Sequence, residues 1–156
     1  MSPAPVRIRR AQAADLDALL ALERNFPGDR MSRRSIRALL GSAGARFWIA
    51  GPASAALGAL LLLTRRNSGW ARIYSLVVTP QARGQGIGRR LVLAAERDAR
   101  LRGCVGVSLE VRDDNVAARA LYAALGYRMH ARLPGYYDDG AAGVRLRRRF
   151  ADTASD

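Results

Sequence analysis

The chain has 156 residues, 49% of them hydrophobic and 25% charged, which suits one domain with a sizeable core. Its longest apolar run, Ala55 to Leu63, is interrupted by Gly58 and falls far short of the ~20 residues of a membrane span. A single cysteine, Cys104, excludes an internal disulfide, and a formal charge of +13, carried by 26 basic residues that are all arginine, excludes an acidic solvated chain.

Val6-Arg7-Ile8-Arg9 alternates apolar and charged and predicts a first strand. Asp15 is a candidate N-cap for a helix through Leu16, Leu19, Leu20 and Leu22, ending by Pro27-Gly28. Glu23 to Arg30 reads as a polar loop carrying Phe26. A second short helix runs from Ser32 to Leu40 with Ile36, Leu39 and Leu40 on its apolar face. Phe47 to Ala50 is the second strand, turned by Gly51-Pro52-Ala53-Ser54 into a third, Ala55 to Thr64. Asn67-Ser68-Gly69 is a turn signal leading to the fourth, so these three strands read as an antiparallel meander.

Tyr74 to Leu91 then changes character. Leu76, Val77 and Val78 suit a buried strand, which Pro80 ends because it has no N–H to donate. Gly84, Gly86 and Gly88 allow a tight turn and close approach of backbone to a ligand. A helix from Ile87 to about Arg102 follows, stopped by Gly103. Its first N–H groups and positive dipole end face the loop, which makes an anion site, most naturally for a phosphate. The spacing is G-x-G-x-G, so it misses the dinucleotide fingerprint, and no Gly-Lys-Ser/Thr follows.

Val105 to Val111 is the fifth strand: Val105, Val107, Leu109 and Val111 point one way, Ser108 and Glu110 the other. Asp113-Asp114-Asn115 caps a helix from Val116 to Leu125, ended by Gly126. Asn115 and Tyr122 are two helical turns apart and share a polar stripe with Arg119, while Ala117, Ala120, Leu121 and Ala124 should pack on the sheet. Tyr127 to Leu133 and Gly143 to Phe150 are the last strands, joined by the aromatic loop Pro134 to Gly140. Residues 1–150 thus read as one domain, with 151–156 a frayed tail. The expected fold is α/β of the α+β type, with a mixed, mostly antiparallel central sheet of about seven strands and helices on both faces.

Two runs resemble a known family. Arg83-Gly84-Gln85-Gly86-Ile87-Gly88 matches the R/Q-x-x-G-x-G/A signature of the GNAT N-acetyltransferases. Leu109-Glu110-Val111-Arg112 through Asn115, Tyr122 and Gly126-Tyr127 resembles the L-E-V-R-x-x-N-x-x-A-x-x-L-Y-x-x-x-G-F/Y run of the branch that acetylates the N-terminal amine of ribosomal proteins. The Tyr136-Tyr137 loop looks like that branch's Y-Y-x-x-x-D-G loop, shortened. The N-terminal third matches in pattern only.

The resemblance implies acetyl-CoA as donor cosubstrate and no metal. Arg83 to Arg89, that is Arg83, Gly84, Gln85, Gly86, Ile87, Gly88 and Arg89, would hold its pyrophosphate. The backbone of Leu76, Val77 and Val78 would pair with the pantetheine arm, Val78 N–H serving the thioester oxygen. Asn115 and Tyr122 would complete the cofactor site, with Tyr122 the acid for the departing thiolate. Glu110 is the candidate base, directly or through a water; a salt bridge to one of the arginines is its alternative role. Glu23, Phe26, Tyr136, Tyr137 and Asp138 are candidate acceptor contacts. His130 and Cys104 read as structural, and no metal-ligand spacing occurs.

The first expectation is therefore an acetyl-CoA-dependent N-acetyltransferase acting on a protein N-terminal amine or peptide, with a small-molecule amine or antibiotic as second acceptor. The competing class is a non-catalytic basic module binding nucleic acid, with or without CoA. Scattered arginines in a chain rich in Ala, Gly and Leu fit coding bias better than a nucleic-acid footprint. Met1 to Arg10 lacks an apolar leader, so the expected compartment is the cytoplasm, with no membrane association and a monomer or homodimer.

Overall fold

The structure, a computed structural model, describes residues 6–26 and 30–151. Pro27-Gly28, expected to end the first helix, and the tail after Ala151 lie outside the described residues. The chain forms a seven-stranded, mostly antiparallel mixed sheet in the order β1-β2-β3-β4-β5-β7-β6. Its strands are β1 Ile8–Arg10, β2 Ala45–Ala50, β3 Gly58–Leu63, β4 Trp70–Val78, β5 Gly106–Arg112, β6 Arg128–Leu133 and β7 Gly143–Arg149. The helices are α1 Leu16–Glu23, α2 Arg33–Leu40, α3 Ile87–Leu101 and α4 Val116–Ala124. The described residues divide into two compact units, and both β4 and α3 run from one into the other along the chain.

The first unit takes the described part of Met1–Leu63 together with Ser75–Ala95. β2 is antiparallel to both β1 and β3. One face of these strands, with Ala45, Phe47, Ile49, Ala59 and Leu61, packs with Leu19 and Leu22 of α1 and Ile36 of α2. On the other face Gly58 lies against Ile87 and Leu91 of α3. β3 is covered on both sides, which explains its unbroken apolar sequence. Ala53 and Ser54 turn the chain as expected, but their 3-10 turn takes in Ala55, so the third strand, expected from Ala55, starts only at Gly58.

Asp15 occupies the position before α1, but its carboxylate does not cap that helix. It turns back to accept from Gln12 N–H (2.8 Å) and pairs with both terminal nitrogens of Arg9 (2.7 and 2.9 Å). The Arg9 guanidinium holds its carboxyl below the usual range. Ser32 caps α2 as a hydroxyl should, accepting from Ser35 N–H at 3.1 Å.

The second unit comprises Thr64–Tyr74 and the described part of Glu96–Asp156. β4 pairs in parallel with β5 over Trp70–Ile73, and β5 and β6 both pair antiparallel with β7. The last strand is thus inserted between the fifth and sixth. Ala71, Ile73, Val107, Leu109, Val111, Val144 and Leu146 are buried on one face. No helix among the described residues is long and apolar enough to cross a membrane.

Two outcomes test this packing. A Cβ at Gly58 would stand 2.7 Å from the Val77 carbonyl oxygen, a backbone atom with little room to move. Gly58→Ala should cost about 1–3 kcal/mol, seen as a lower urea midpoint. The lowered Asp15 pKa contributes stability that is present above the unfolded value of about 3.9 and lost as pH falls through the folded one. Asp15→Asn should remove this component from an acid-denaturation curve.

Candidate functional site

In the first unit the strand-to-helix loop is built as the glycines suggest, with one difference. Gly84 and Gly86 have φ of 81° and 75°, the left-handed region that side chains avoid, and nothing lies within 4 Å of where a Cβ would stand. Gly88 is helical, inside the first turn of α3, and does not serve the turn. Pro80–Ala82 forms a 3-10 turn before the loop. Arg90 N–H is bonded to Gly86 O (3.1 Å), so the N–H groups of Ile87, Gly88 and Arg89 come before the helix's own ladder begins. Arg83, Gln85 and Arg89 are exposed around this end. The loop therefore offers fixed N–H donors, a positive dipole end and open space above the glycines.

β4 leads into it. Thr79 N–H donates to Leu57 O (2.9 Å), towards the β3 side. Backbone groups alternate direction along a strand, so the Val78 N–H points to the opposite edge. The side chain of Val77 is buried, and those of Leu76 and Val78 are half-buried.

Two acceptor candidates in this unit are placed differently from expectation. Glu23 is not in a polar loop; it closes α1, is only 5% exposed, and accepts from Met31 N–H at 2.7 Å. Desolvation raises its pKa. The carboxylate serves the chain that re-enters after residue 29. Phe26 is half-buried and packs on the core cluster of α1, α2 and β2.

In the second unit Glu110 lies mid-strand with its side chain 7% exposed. It pairs with Arg72 through Oε1 and accepts from Arg145 Nε at Oε2 (3.3 Å). The salt bridge weighed as its alternative role is thus present, doubled. β5 alternates as expected, and Arg145 is its direct cross-strand partner in β7.

The stripe on α4 is turned from the expected one. Tyr122 is 4% exposed and Leu125 is buried, whereas Ala117, Ala120 and Ala124 are exposed. The packed positions are Ala118, Leu121, Tyr122 and Leu125, spaced i, i+3, i+4, i+7. Large side chains outweigh alanines in deciding which face a helix buries. Asn115 is exposed and caps α4, its Oδ1 accepting from Ala118 N–H (3.1 Å). Arg119 reaches back to Asp113 (2.9 Å). Burial raises the Tyr122 pKa above the ordinary tyrosine value, so the hydroxyl keeps its proton throughout the neutral range.

Sequence reasoning missed what lies behind Tyr122. Its ring meets Tyr127 edge to face at 5.3 Å. The Tyr127 hydroxyl donates to Glu96 Oε2 (2.8 Å), and Arg148 Nη1 donates to Glu96 Oε1 (2.5 Å). Glu96 is 3% exposed. The signal was there: a carboxylate on the stripe that also holds Val92 and Ala99 is out of place on an apolar face.

Tyr136 and Tyr137 cross at 90° with ring centres 5.1 Å apart, and Arg112 stacks on Tyr137 at 5.1 Å. Asp138 is exposed. Arg112 also holds Asp139 (2.7 Å), which fixes this loop to β5. A mostly apolar groove of ≈ 430 Å³ beside α4, lined by Val116, Arg119, Ala120, Ala123, Tyr127, Met129 and Leu146, contains none of the candidate catalytic, cofactor or acceptor residues. His130 is exposed at the register shift of β6. Burial raises the Cys104 thiol pKa, which suits a structural cysteine. Among the described residues no cluster of three or more His, Cys, Asp or Glu is arranged to hold a metal.

A glycine-rich helix start behind a strand is one half of a nucleotide-type cradle; which cradle is decided by comparison. The profile described as "Acetyltransferase (GNAT) family" matches residues 15–127. The chain belongs to this family. It is an acetyl-CoA-dependent acyltransferase. An uncharacterized N-acetyltransferase of Methanocaldococcus jannaschii is 31% identical over 140 residues, 89% of this chain and 88% of that one. Blasticidin-S acetyltransferase of Streptomyces morookaense is 40% identical over 68 residues, 43% of this chain, and the match spans 48% of its own length. A mycothiol acetyltransferase of Amycolatopsis mediterranei is 43% identical over 58 residues, 37% of this chain, and there the match spans only 19% of the relative.

Solved structures show the GNAT fold end to end. Ard1 from Thermoplasma volcanium superposes with a TM-score of 0.84 at 23% identity, covering 96% of this chain and 100% of that one. The ribosomal-protein-S18-alanine N-acetyltransferase of Escherichia coli gives 0.82 at 22% identity, covering 95% and 97%.

The Glu96 cluster generates a prediction. Tyr127→Phe removes one hydrogen bond to a buried carboxylate and should cost about 1–3 kcal/mol. Glu96→Ala strands both the Tyr127 hydroxyl and the Arg148 guanidinium and should cost more. Thermal unfolding of the two variants checks the order.

Proposed function

We propose that this GNAT enzyme transfers the acetyl group of acetyl-CoA directly to the α-amine at a protein N-terminus, in the cytoplasm, with residues 1–150 serving as one catalytic domain. The observation that carries the donor half is the loop: two left-handed glycines set before the exposed first turn of a long helix. In this reading Arg83 to Arg89 hold the pyrophosphate, chiefly through N–H groups. The outward Val78 N–H meets the thioester oxygen, and Leu76 to Val78 pair with the pantetheine as an added strand would.

Glu110 and Tyr122 take the proton work. Direct attack by an amine requires a neutral nitrogen and a donor for the departing thiolate. Glu110 has both carboxylate oxygens engaged by guanidinium groups, so it has little to offer a strongly protonated amine. An α-amine, with pKa about 7.7–8.0 against about 10.4 for lysine, needs only modest help. Glu110 then acts through a water, orienting it to take the proton. Tyr122 keeps its proton until the thiolate forms, because burial suppresses its ionisation. Asn115 contributes its amide NH2 beside the cofactor, its carbonyl being occupied by the cap.

The acceptor assignment draws support from the Leu109 to Tyr127 run and from the likeness in fold to the ribosomal-protein-S18-alanine N-acetyltransferase of Escherichia coli. The second reading, a small-molecule amine, draws on the 40% identity to Blasticidin-S acetyltransferase over 68 residues. Tyr136, Tyr137 and Asp138 remain acceptor contacts in either case, whereas Glu23 and Phe26 are committed to packing.

Assaying acetyl-CoA with N-terminal peptides and small amines, following CoA release and product mass, separates the readings. Tyr122→Phe should lower kcat by about 10²-fold with acetyl-CoA binding kept. Activity lost as pH rises would mark an acid titrating; with the Tyr122 pKa raised above 10, kcat should rise as the α-amine becomes neutral around pH 8 and then show no fall up to about pH 9.5. Equal rates for Tyr122→Phe and wild type would remove Tyr122 from the mechanism. Turnover of small amines alone would replace the peptide acceptor.

A further inference from the structure

The second unit has a sheet face that the donor half does not use. Registers put Trp70, Arg72, Ser108, Glu110, Arg145, Arg147, Arg149 and Arg128 on one side of β4, β5, β7 and β6. The opposite side is the buried apolar one. Arg148, the middle of the basic run, points there and is consumed by Glu96. The three others stay together: Arg145 opposite Glu110, Arg147 opposite Ser108 and Arg149 opposite Gly106. Arg128 stands opposite Arg147 on the edge strand.

These groups are half-exposed or exposed. Arg147 and Arg149 stack on the Trp70 ring at 4.6 and 5.2 Å, which holds them in place rather than neutralising them. Among the described residues Glu110 is the only carboxylate that these four strands bring to the face, against six arginines, of which Arg112 is held by Asp139. Donors outnumber acceptors: even the buried Nε atoms of Arg72 and Arg147, which do not reach the surface themselves, have no hydrogen-bond partner among the described residues.

We propose that this face binds an acidic stretch of the acceptor peptide, running from the amine at Glu110 along β7 past Arg147 to Arg149. The inference rests on the N-terminal-amine reading above. Successive same-face positions on a strand are about 6.8 Å apart, and an extended peptide advances about 3.4 Å per residue. Carboxylates at the third and fifth residues of the acceptor therefore match the Arg147 and Arg149 rows. Guanidinium forks pair with carboxylates in two-pronged fashion, so the fit is chemical as well as coulombic.

Two short peptides differing only in Asp or Asn at those two residues test this. The Asp peptide should show kcat/KM about tenfold higher at low salt. The gap should close as ionic strength rises past the point where the Debye length is about 10 Å, near 0.1 M. Arg147→Glu with Arg149→Glu should abolish or invert it; should that pair fail to fold, Arg128→Glu on the exposed edge must shrink it alone. Equal rates for the two peptides, or a gap untouched by charge reversal, overturn the inference while leaving N-terminal acetylation standing. No turnover of either peptide, with acetyl-CoA still bound, overturns the peptide reading and this inference with it. Salt-sensitive binding of a single-stranded RNA with no Asp preference assigns the face to nucleic acid instead.

Discussion

A nearly buried carboxylate in the middle of a sheet has to be paired. Glu110 is 7% exposed, and an unpaired charge there would cost several kcal/mol. Arg72 and Arg145 supply the counter-charges from the strands on either side. One side chain therefore ties β4, β5 and β7 together and fixes their register. A slip of β5 by one residue would send Glu110 into the apolar face and bring Leu109 and Val111 out. The identity of the whole second-unit face follows from that parity: arginines beside Glu110, valines and leucines behind it.

Behind the sheet the same logic is repeated with different partners. Glu96 enters the apolar side on α3 and is satisfied by Tyr127 and Arg148. Tyr127 supports the ring of Tyr122, whose burial sets its ionisation. Two buried carboxylates on opposite faces thus divide the work. One holds the strand that carries the candidate base; the other holds the aromatic pair that carries the candidate acid.

Much of this was legible in the sequence. Element order, the glycine loop and the alternation of β5 are written in short-range patterns of apolar, β-branched and glycine residues. The place of β7 between β5 and β6 is not, because strand pairing across thirty residues leaves no local periodic trace. The face of α4 was misjudged because alanines fit either a packed or an exposed side, so Ala117, Ala120 and Ala124 carry little information against Leu121, Tyr122 and Leu125. Glu23 looked like a loop acid because the segment after it is polar. Its burial depends on Met31, whose N–H it satisfies only once the chain has folded back. Arg148 could not be told from Arg147 or Arg149 until strand parity assigned them to opposite faces.

The all-arginine composition has a consequence of its own. An enzyme that handles activated acetyl groups is exposed to acetylation of its own side-chain amines, which cancels positive charge. This chain contains no lysine. Guanidinium groups are poor nucleophiles and remain protonated at every working pH. The positive face beside Glu110 is consequently a permanent field, which the enzyme's own donor cannot erase.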